Sequence, residues 1–543
     1  MLFNSHEFIF AFLPVTLLGF FLLGRRSREG ALLWLTLASL FFYAWWRPVN
    51  VLIIAPSIAV NYVLARVLLR LVAAGAERGH AARAVLALGI VFNVCFLGYF
   101  KYVNFAATIA HDLTGADFVM AEVVLPLGIS FITFQKIAFL VDVYGGRVQA
   151  FTLRSYALFV LFFPQLIAGP IVHYREMMPQ FERASCRFNA EGFAVGLTLF
   201  VLGLFKKVVL ADSVAVYATP LFDAAAGGTQ LSLVSAWIAA LGFLLQLYFD
   251  FSGYTDMALG LARMVGVRLP PNFDSPLKAR SIVDFWLRWH MTLTRFLTAY
   301  LYNPLVLWLS RRRAARGKPM LGGRGTTVGA FLALLAGPTL LTMFVSGLWH
   351  GAGYLFVLWG LLHGLYLTVN HAWRMFGNRL AGGRLVRAKP GALAFLLTFV
   401  AVVVSMVLFR AANLTAAGSI LKGMLGLNGV GLPPVFFDRV ASVAARLHGF
   451  VYTSTEMSAT DLVSATAWVI ALVAGALLLP NSLQFLERYE PALSKPRPVT
   501  EAGWLRRLLV WSPSPAWLAA LSVLAVVAVL RIGGQSEFLY WAF

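Results

Sequence analysis

The stretch SGLWHGAGYLFVLWGLLHG, residues 346–364, carries two histidines in an otherwise apolar run. His350 stands between Trp349 and Gly351, with further glycines at 347 and 353. Each glycine lowers helix propensity by about 1 kcal/mol relative to alanine, so the pattern predicts a helix break at His350. An imidazole at such a break is reachable by a substrate, and its ordinary pKa suits a general base. A histidine that hydrogen-bonds a neighbouring helix would look the same, and spacing alone does not choose between the two. His363 lies thirteen residues further on. Along a continuous helix that is a rotation of about 220° and a rise of about 20 Å, so it reads as a packed histidine outside the His350 site.

His290 is the other candidate. It follows Trp286 and Arg288, and the four-residue spacing to Trp286 predicts one shared helical face. Asn272, in PPNFDSP, sits in a proline-bounded turn where an amide bonds either backbone or substrate. For both, the structural and the functional readings stand open. His173 and His371 near span ends, and His6, His80, His111 and His448 in loops, read as structural or solvated.

The elements that position these groups are membrane helices. Hydrophobic residues make up 60% of the 543 and charged residues only 12%, against about 25% charged in soluble domains. Mean hydropathy is +0.78. Long apolar runs recur throughout, which identifies an all-α polytopic membrane protein; the alternating segments of a β-barrel are not seen. A first run from Phe8, without a basic region before it or a small-residue cleavage site after it, reads as a retained span. Ionisable groups at membrane depth are costly, so Asp250, Asp256 and Asp284 join His290 and His350 as candidates.

Cys95 and Cys186 are far apart and lack metal-ligand spacing, which excludes a disulfide framework, a zinc site and an iron–sulfur site. Walker A, HEXXH, G-x-S-x-G and GxGxxG motifs in suitable context are also missing, so ATPases, metalloproteases and α/β-hydrolases have no support. The net charge of +21 gathers in loops: Arg25 to Arg28, Arg70 to Arg83, Arg311 to Lys318, Arg374 to Lys389, and Arg497 to Arg507. That pattern is positive-inside and meets anionic lipid, with no nucleic-acid partner implied. Placing these loops in the cytoplasm puts both termini outside. Spans are expected near 8–24, 31–46, 50–70, 84–100, 155–172, 193–211, 231–250, 326–348, 353–373, 392–410, 464–480 and 516–532. Segment 123–145, with Pro126, Gly128 and Lys136, reads as broken or re-entrant, 251–310 as amphipathic, and 412–463 as the longest external stretch. No soluble domain or internal repeat appears. The reading is one membrane domain, 1–543, with a core at about 123–375 between N-terminal spans (1–122) and C-terminal spans (390–543).

The stretches QLYFDFSGYTDMALGLARMVG, NFDSP, DFWLRWHMTLTRFLTAYLY and SGLWHGAGYLFVLWGLLHG resemble the membrane-bound O-acyltransferase family, and within it the bacterial alginate O-acetyltransferase branch. YAWWRP, LPLGISFITFQKIAFLVDVYGG, FFPQLIAGPIVHYREMMPQ and GGQSEFLYWAF extend the resemblance over essentially the whole chain. It implies a bundle of about 11–13 helices, with re-entrant and amphipathic segments, around a central tunnel in a bacterial inner membrane. Acetyl-CoA would enter from the cytoplasm and an acceptor hydroxyl from outside. The family's near-invariant histidine maps onto His350 and the histidine of its RWH motif onto His290. By that mapping His350 is the general base, while His290 and Asn272 position or polarise the thioester. Trp286, Trp349, Asp256, Arg311, Arg312 and Arg313 are expected to bind substrate, with no metal and no permanently bound cofactor. The implied partners are an exported, alginate-like polysaccharide and a periplasmic acyltransferase whose serine accepts the acetyl group. The alternatives are a D-alanyl transferase drawing on a carrier protein to modify teichoic acid, and a polysaccharide transporter.

Overall fold

The structure, a computed structural model, describes residues 1–75, 79–115, 123–183, 186–322, 326–380, 391–447, 450–495, 510–533 and 539. Arg78, Arg384, Arg387, Lys389, His448, Arg497, Arg506, Arg507 and most of the tail GGQSEFLYWAF lie outside the described residues. The chain is a polytopic all-α membrane protein. Among the described residues, eight helices are long and apolar enough to cross a membrane, and Phe8–Gly24 and Pro515–Leu530 are shorter apolar helices. Two compact units emerge: residues 1–205, 252–272 and 482–542 form one, and residues 206–251, 273–481 and 543 the other.

In the first unit, Phe3, Phe8, Phe12, Phe42 and Phe163 pack ring on ring, with Phe12 and Phe163 centroids 5.4 Å apart. Polar groups buried among these helices find one another. Asn93 donates to the Asn61 side-chain oxygen at 2.6 Å and Asn61 donates back at 3.2 Å, joining helices Val49–Ala73 and His80–Thr114. The Lys136 ammonium donates to the Ser57 hydroxyl at 2.5 Å. Segment 123–145 becomes a buried helix, Ile129–Tyr144, entered through Gly128 in the left-handed region at φ 69°. Its 16 residues at about 1.5 Å each fall short of a bilayer core.

Two expectations are corrected here. The span near 155–172 does not form. Helix Leu153–Leu161 stops at Phe162, and a four-residue turn, Phe163–Leu166, follows. Pro164 has no N–H and its ring clashes with the carbonyl four residues back. The groups freed by that break are met by protein: the Phe163 N–H donates to Ser39 Oγ at 3.1 Å, and the Gln165 amide donates to the Phe159 carbonyl at 2.7 Å. Nor is 251–264 amphipathic. It completes the 32-residue helix Leu233–Met264, whose most apolar window is 78% buried inside the protein; its Ser252, Thr255 and Asp256 side chains are buried.

The second unit contains a hairpin of two helices, Gly337–His350 and Tyr354–Leu380. Association of helices in lipid depends on close packing more than on the hydrophobic effect, and here the backbones touch. A methyl group on Gly347 would overlap the Phe356 carbonyl oxygen, and one on Gly360 would overlap the Met343 carbonyl oxygen. The stretch 412–463 folds into helices Leu414–Met424 and Pro434–Ala444 and a short parallel strand pair, with Val430 opposite Val451. Glu456 anchors it by accepting from the Ser232 hydroxyl at 2.9 Å and its N–H at 3.1 Å.

Gly360→Ala is therefore expected to destabilise the protein by about 1–3 kcal/mol through overpacking. Gly353→Ala, whose new methyl meets only a Phe356 ring carbon at 3.7 Å, is expected to be nearly neutral. Thermal unfolding in detergent reads both; equal midpoints would remove the glycine crossing as a packing determinant.

Candidate active site

His350 is the last residue of helix Gly337–His350 and is 4% exposed. Gly351 after it is extended, at φ −159° and ψ 152°, and the next helix begins at Tyr354. The break falls where the sequence pattern places it. The glycines act less through propensity than through room: a methyl on Gly351 would overlap the Phe356 ring, and Gly347 lies in the helix crossing. The His350 imidazole is enclosed by Trp349 (ring centroids 4.9 Å apart), Trp359 (5.0 Å), Phe409 (5.3 Å) and His290 (6.4 Å).

His290 lies between the membrane-crossing helices, at the junction of two short ones, Ile282–Trp286 and Met291–Leu297. It is fully buried and its backbone is left-handed, φ 43° and ψ 51°. The left-handed region costs an ordinary residue about 1–2 kcal/mol, and such strain persists where surrounding contacts over-determine it. The bend also corrects the shared-face expectation. Trp286 and His290 are not on one helical turn: the Trp286 indole N–H donates to His363 Nδ1 at 3.3 Å, while His290 packs against Phe251, Trp349 and His350. Burial pushes the His290 imidazole down to about 3, which disfavours its charged form.

Because the chain breaks after His350, the continuous-helix argument that separated His363 from it does not apply. Trp359 joins the two, its ring 5.0 Å from His350 and 4.8 Å from His363. His363 itself is fully used in packing. Ser405 gives its proton to the Val402 carbonyl at 2.7 Å, so at 2.9 Å from His363 it accepts the Nε2–H, leaving Nδ1 to accept from Trp286. Trp359 and Phe409 escaped the sequence reading. Trp359 had a signal in its four-residue spacing to His363; Phe409, on another helix, had none. A cavity of about 320 Å³ lies alongside, lined among others by Trp286, Tyr302, Thr342, Met343 and Ser346. That is near the lower end of small-molecule pockets.

Asn272 is fully buried, and Asp256 accepts from the Ser482 hydroxyl at 2.6 Å; both belong to the first unit. Asp284 pairs with Arg288 at 2.9 Å and Asp250 with Lys207 at 2.7 Å. Arg311, Arg312 and Arg313 form the last turn of helix Asn303–Ala314, where Arg312 lies over the Trp308 ring at 5.2 Å and Arg313 donates to the Pro319 carbonyl at 3.1 Å.

A family model, that of the membrane-bound O-acyltransferase family, matches residues 85–321. The peptidoglycan O-acetyltransferase of Helicobacter pylori is 42% identical over 464 residues, 80% of this chain and 81% of that protein. The chain belongs to the membrane-bound O-acyltransferase family. A probable alginate O-acetylase of Pseudomonas aeruginosa is 33% identical over the full length of both. A teichoic acid D-alanyltransferase of Streptococcus thermophilus is 29% identical over 46% of this chain and 57% of its own. The protein is thus an acyltransferase. The matched region of the family model ends before the helix that carries His350.

His290→Asn keeps a neutral hydrogen-bonding side chain on a residue type that tolerates the left-handed region. It is expected to retain more transfer activity than His290→Val, which loses both properties and should also lower the unfolding midpoint. Equal activities would show that neither the backbone geometry nor the polar group at 290 matters to turnover.

Proposed function

We propose that this acyltransferase works in a bacterial inner membrane, moving acetyl from cytoplasmic acetyl-CoA to a hydroxyl destined for an extracytoplasmic polysaccharide. The acceptor is the sugar itself or a serine of a periplasmic acyltransferase that passes the group on. The observation that carries this reading is His350, buried at a helix end with His290 6.4 Å away, ring to ring. The Helicobacter and Pseudomonas aeruginosa relatives named for O-acetylation match over 80% and 100% of the chain and the D-alanyltransferase over 46%, which favours acetyl as the transferred group. Asn272 and Asp256 stay in the proposal as substrate-binding groups, as do Trp349, beside His350 and His290, and Trp286, against His363.

His350 removes the acceptor hydroxyl proton as the oxygen attacks the thioester carbonyl carbon. The tetrahedral adduct then expels the coenzyme A thiolate, which takes that proton from His350, leaving an O-acetyl ester and free coenzyme A. The imidazolium formed in between sits at a helix C-terminus, where the helix dipole stabilises a cation by up to about 2 kcal/mol in buried settings. Neutral His290 donates or accepts one hydrogen bond and orients the thioester, the positioning part of an oxyanion site. Loss of general-base assistance costs typically about 10²–10⁴-fold. His350→Ala should therefore reduce acetyl transfer by that factor in a protein that still inserts and folds; normal acetylation by it would remove the assignment.

The basic turn suits the donor. Coenzyme A carries a 3′-phosphate and a pyrophosphate, guanidinium forks recognise phosphate, and charge steering speeds capture. Neutralising Arg311, Arg312 and Arg313 together should raise the KM for acetyl-CoA, weaken its salt dependence and leave kcat nearly unchanged. A wild-type KM at low ionic strength would make the turn a topology signal only. The same orientation puts Ala314 in the cytoplasm and Val440 outside, so in intact cells an impermeant thiol reagent should label Val440→Cys and spare Ala314→Cys.

A further inference from the structure

One buried ion pair has no part in the chemistry above. Lys207 Nζ lies 2.7 Å from Asp250 Oδ1 and 2.9 Å from Asp212 Oδ1, and the Lys207 and Asp250 side chains are 3% and 1% exposed. Lys207 belongs to a π-helical turn, Lys206–Ala211. The wider turn changes the direction in which its side chains project, and such turns recur at functional sites. Asp250 lies within helix Leu233–Met264. Charges at membrane depth are costly and mark function, while replacing a buried ion pair by apolar residues of similar volume is often neutral for stability. A merely structural role explains the pair poorly.

Its neighbour in sequence supplies the link. Phe251 presents its ring nearly at right angles to the His290 imidazole, 88° with centroids 4.8 Å apart, and is itself packed edge-on against Phe273 at 5.0 Å. Phe273 in turn meets Trp289, the residue before His290, at 5.1 Å. His290 is held in a left-handed backbone conformation, so its ring direction depends on the walls around it. Asp250 and Phe251 are consecutive on a helix, about 100° apart around its axis. Fixing the direction of one fixes the other.

We propose that the Lys207–Asp250 ion pair is a positioning device for His290: it sets the rotation of the helical turn carrying residues 250 and 251, and Phe251 transmits that setting to the imidazole. Both are positioning residues, remote from the transferred group. The proposal rests on the reading that His290 orients the thioester.

The test uses the full-length protein in detergent or nanodiscs, with acetyl-CoA as donor. Asp250→Glu keeps the charge pair but lengthens it by one methylene. A shift of about 1 Å in a positioned group costs roughly 100-fold, so kcat should fall about 10- to 100-fold while the KM for acetyl-CoA stays near wild type. Lys207→Met/Asp212→Asn/Asp250→Leu, which leaves no charged group of the cluster, should unfold at no lower temperature than wild type yet show the same loss of kcat. Wild-type kcat in Asp250→Glu, or in a folded triple variant, overturns the proposal. Coupling supplies the remaining arm. In a His290→Ala background, with its residual transfer measured at saturating donor, Asp250→Glu should cost almost nothing further, because the group it positions is gone. A His290→Ala protein that is impaired, with a full additional loss from Asp250→Glu, overturns the positioning role and leaves the site standing. An unimpaired His290→Ala protein overturns both.

Discussion

A helix that ends among other apolar helices leaves four carbonyls without intrahelical partners, and lipid offers them nothing. That constraint governs the region around His350. The Gly337–His350 helix ends there, and its partner, Tyr354–Leu380, crosses it at backbone contact through Gly347 and Gly360. The crossing brings Trp359 to the face of His350 and places the reversal of chain direction within three residues. A side chain at either glycine would separate the helices and draw Trp359 away from the imidazole.

The enclosure of the histidines has an electrostatic consequence. In a low-dielectric setting a neutral imidazole is favoured over a charged one, and His290 has its affinity for protons strongly reduced by burial. His350 stands at a helix C-terminus, the negative end of the helix dipole. In the mechanism proposed above, His350 carries the proton and His290, 6.4 Å away ring to ring, holds a hydrogen bond.

Elsewhere the same economy of polar groups builds the scaffold. The reciprocal Asn61–Asn93 amides, the Lys136–Ser57 contact and the capture of Phe163 and Phe159 backbone groups by Ser39 and Gln165 each satisfy a group that lipid would leave bare. These bonds pin helices at defined heights, which non-directional apolar contact does not do. They also allow short and broken helices to sit inside the protein, where an isolated segment of that length would not span.

Much of this was legible in the residues. Apolar runs and sparse charge determine a polytopic helical membrane protein, because only closed hydrogen-bonding structures survive in lipid. The glycine-flanked His350 marks a helix end, because local propensity and local sterics act on neighbours in the chain. What local pattern could not decide was which groups meet across the fold. The spacing of Trp286 and His290 suggests one face, yet a left-handed residue between two short helices sends them to different partners. The apolar run over 155–172 suggests a span, yet Pro164 breaks it, and nothing local points to the Ser39 and Gln165 side chains that make the break tolerable. Lys207 and Asp250 carry no local signal of their pairing. Each of these depends on residues far apart in sequence, brought together only when the helices pack, and periodicity within a helix holds no information about the neighbour it will face.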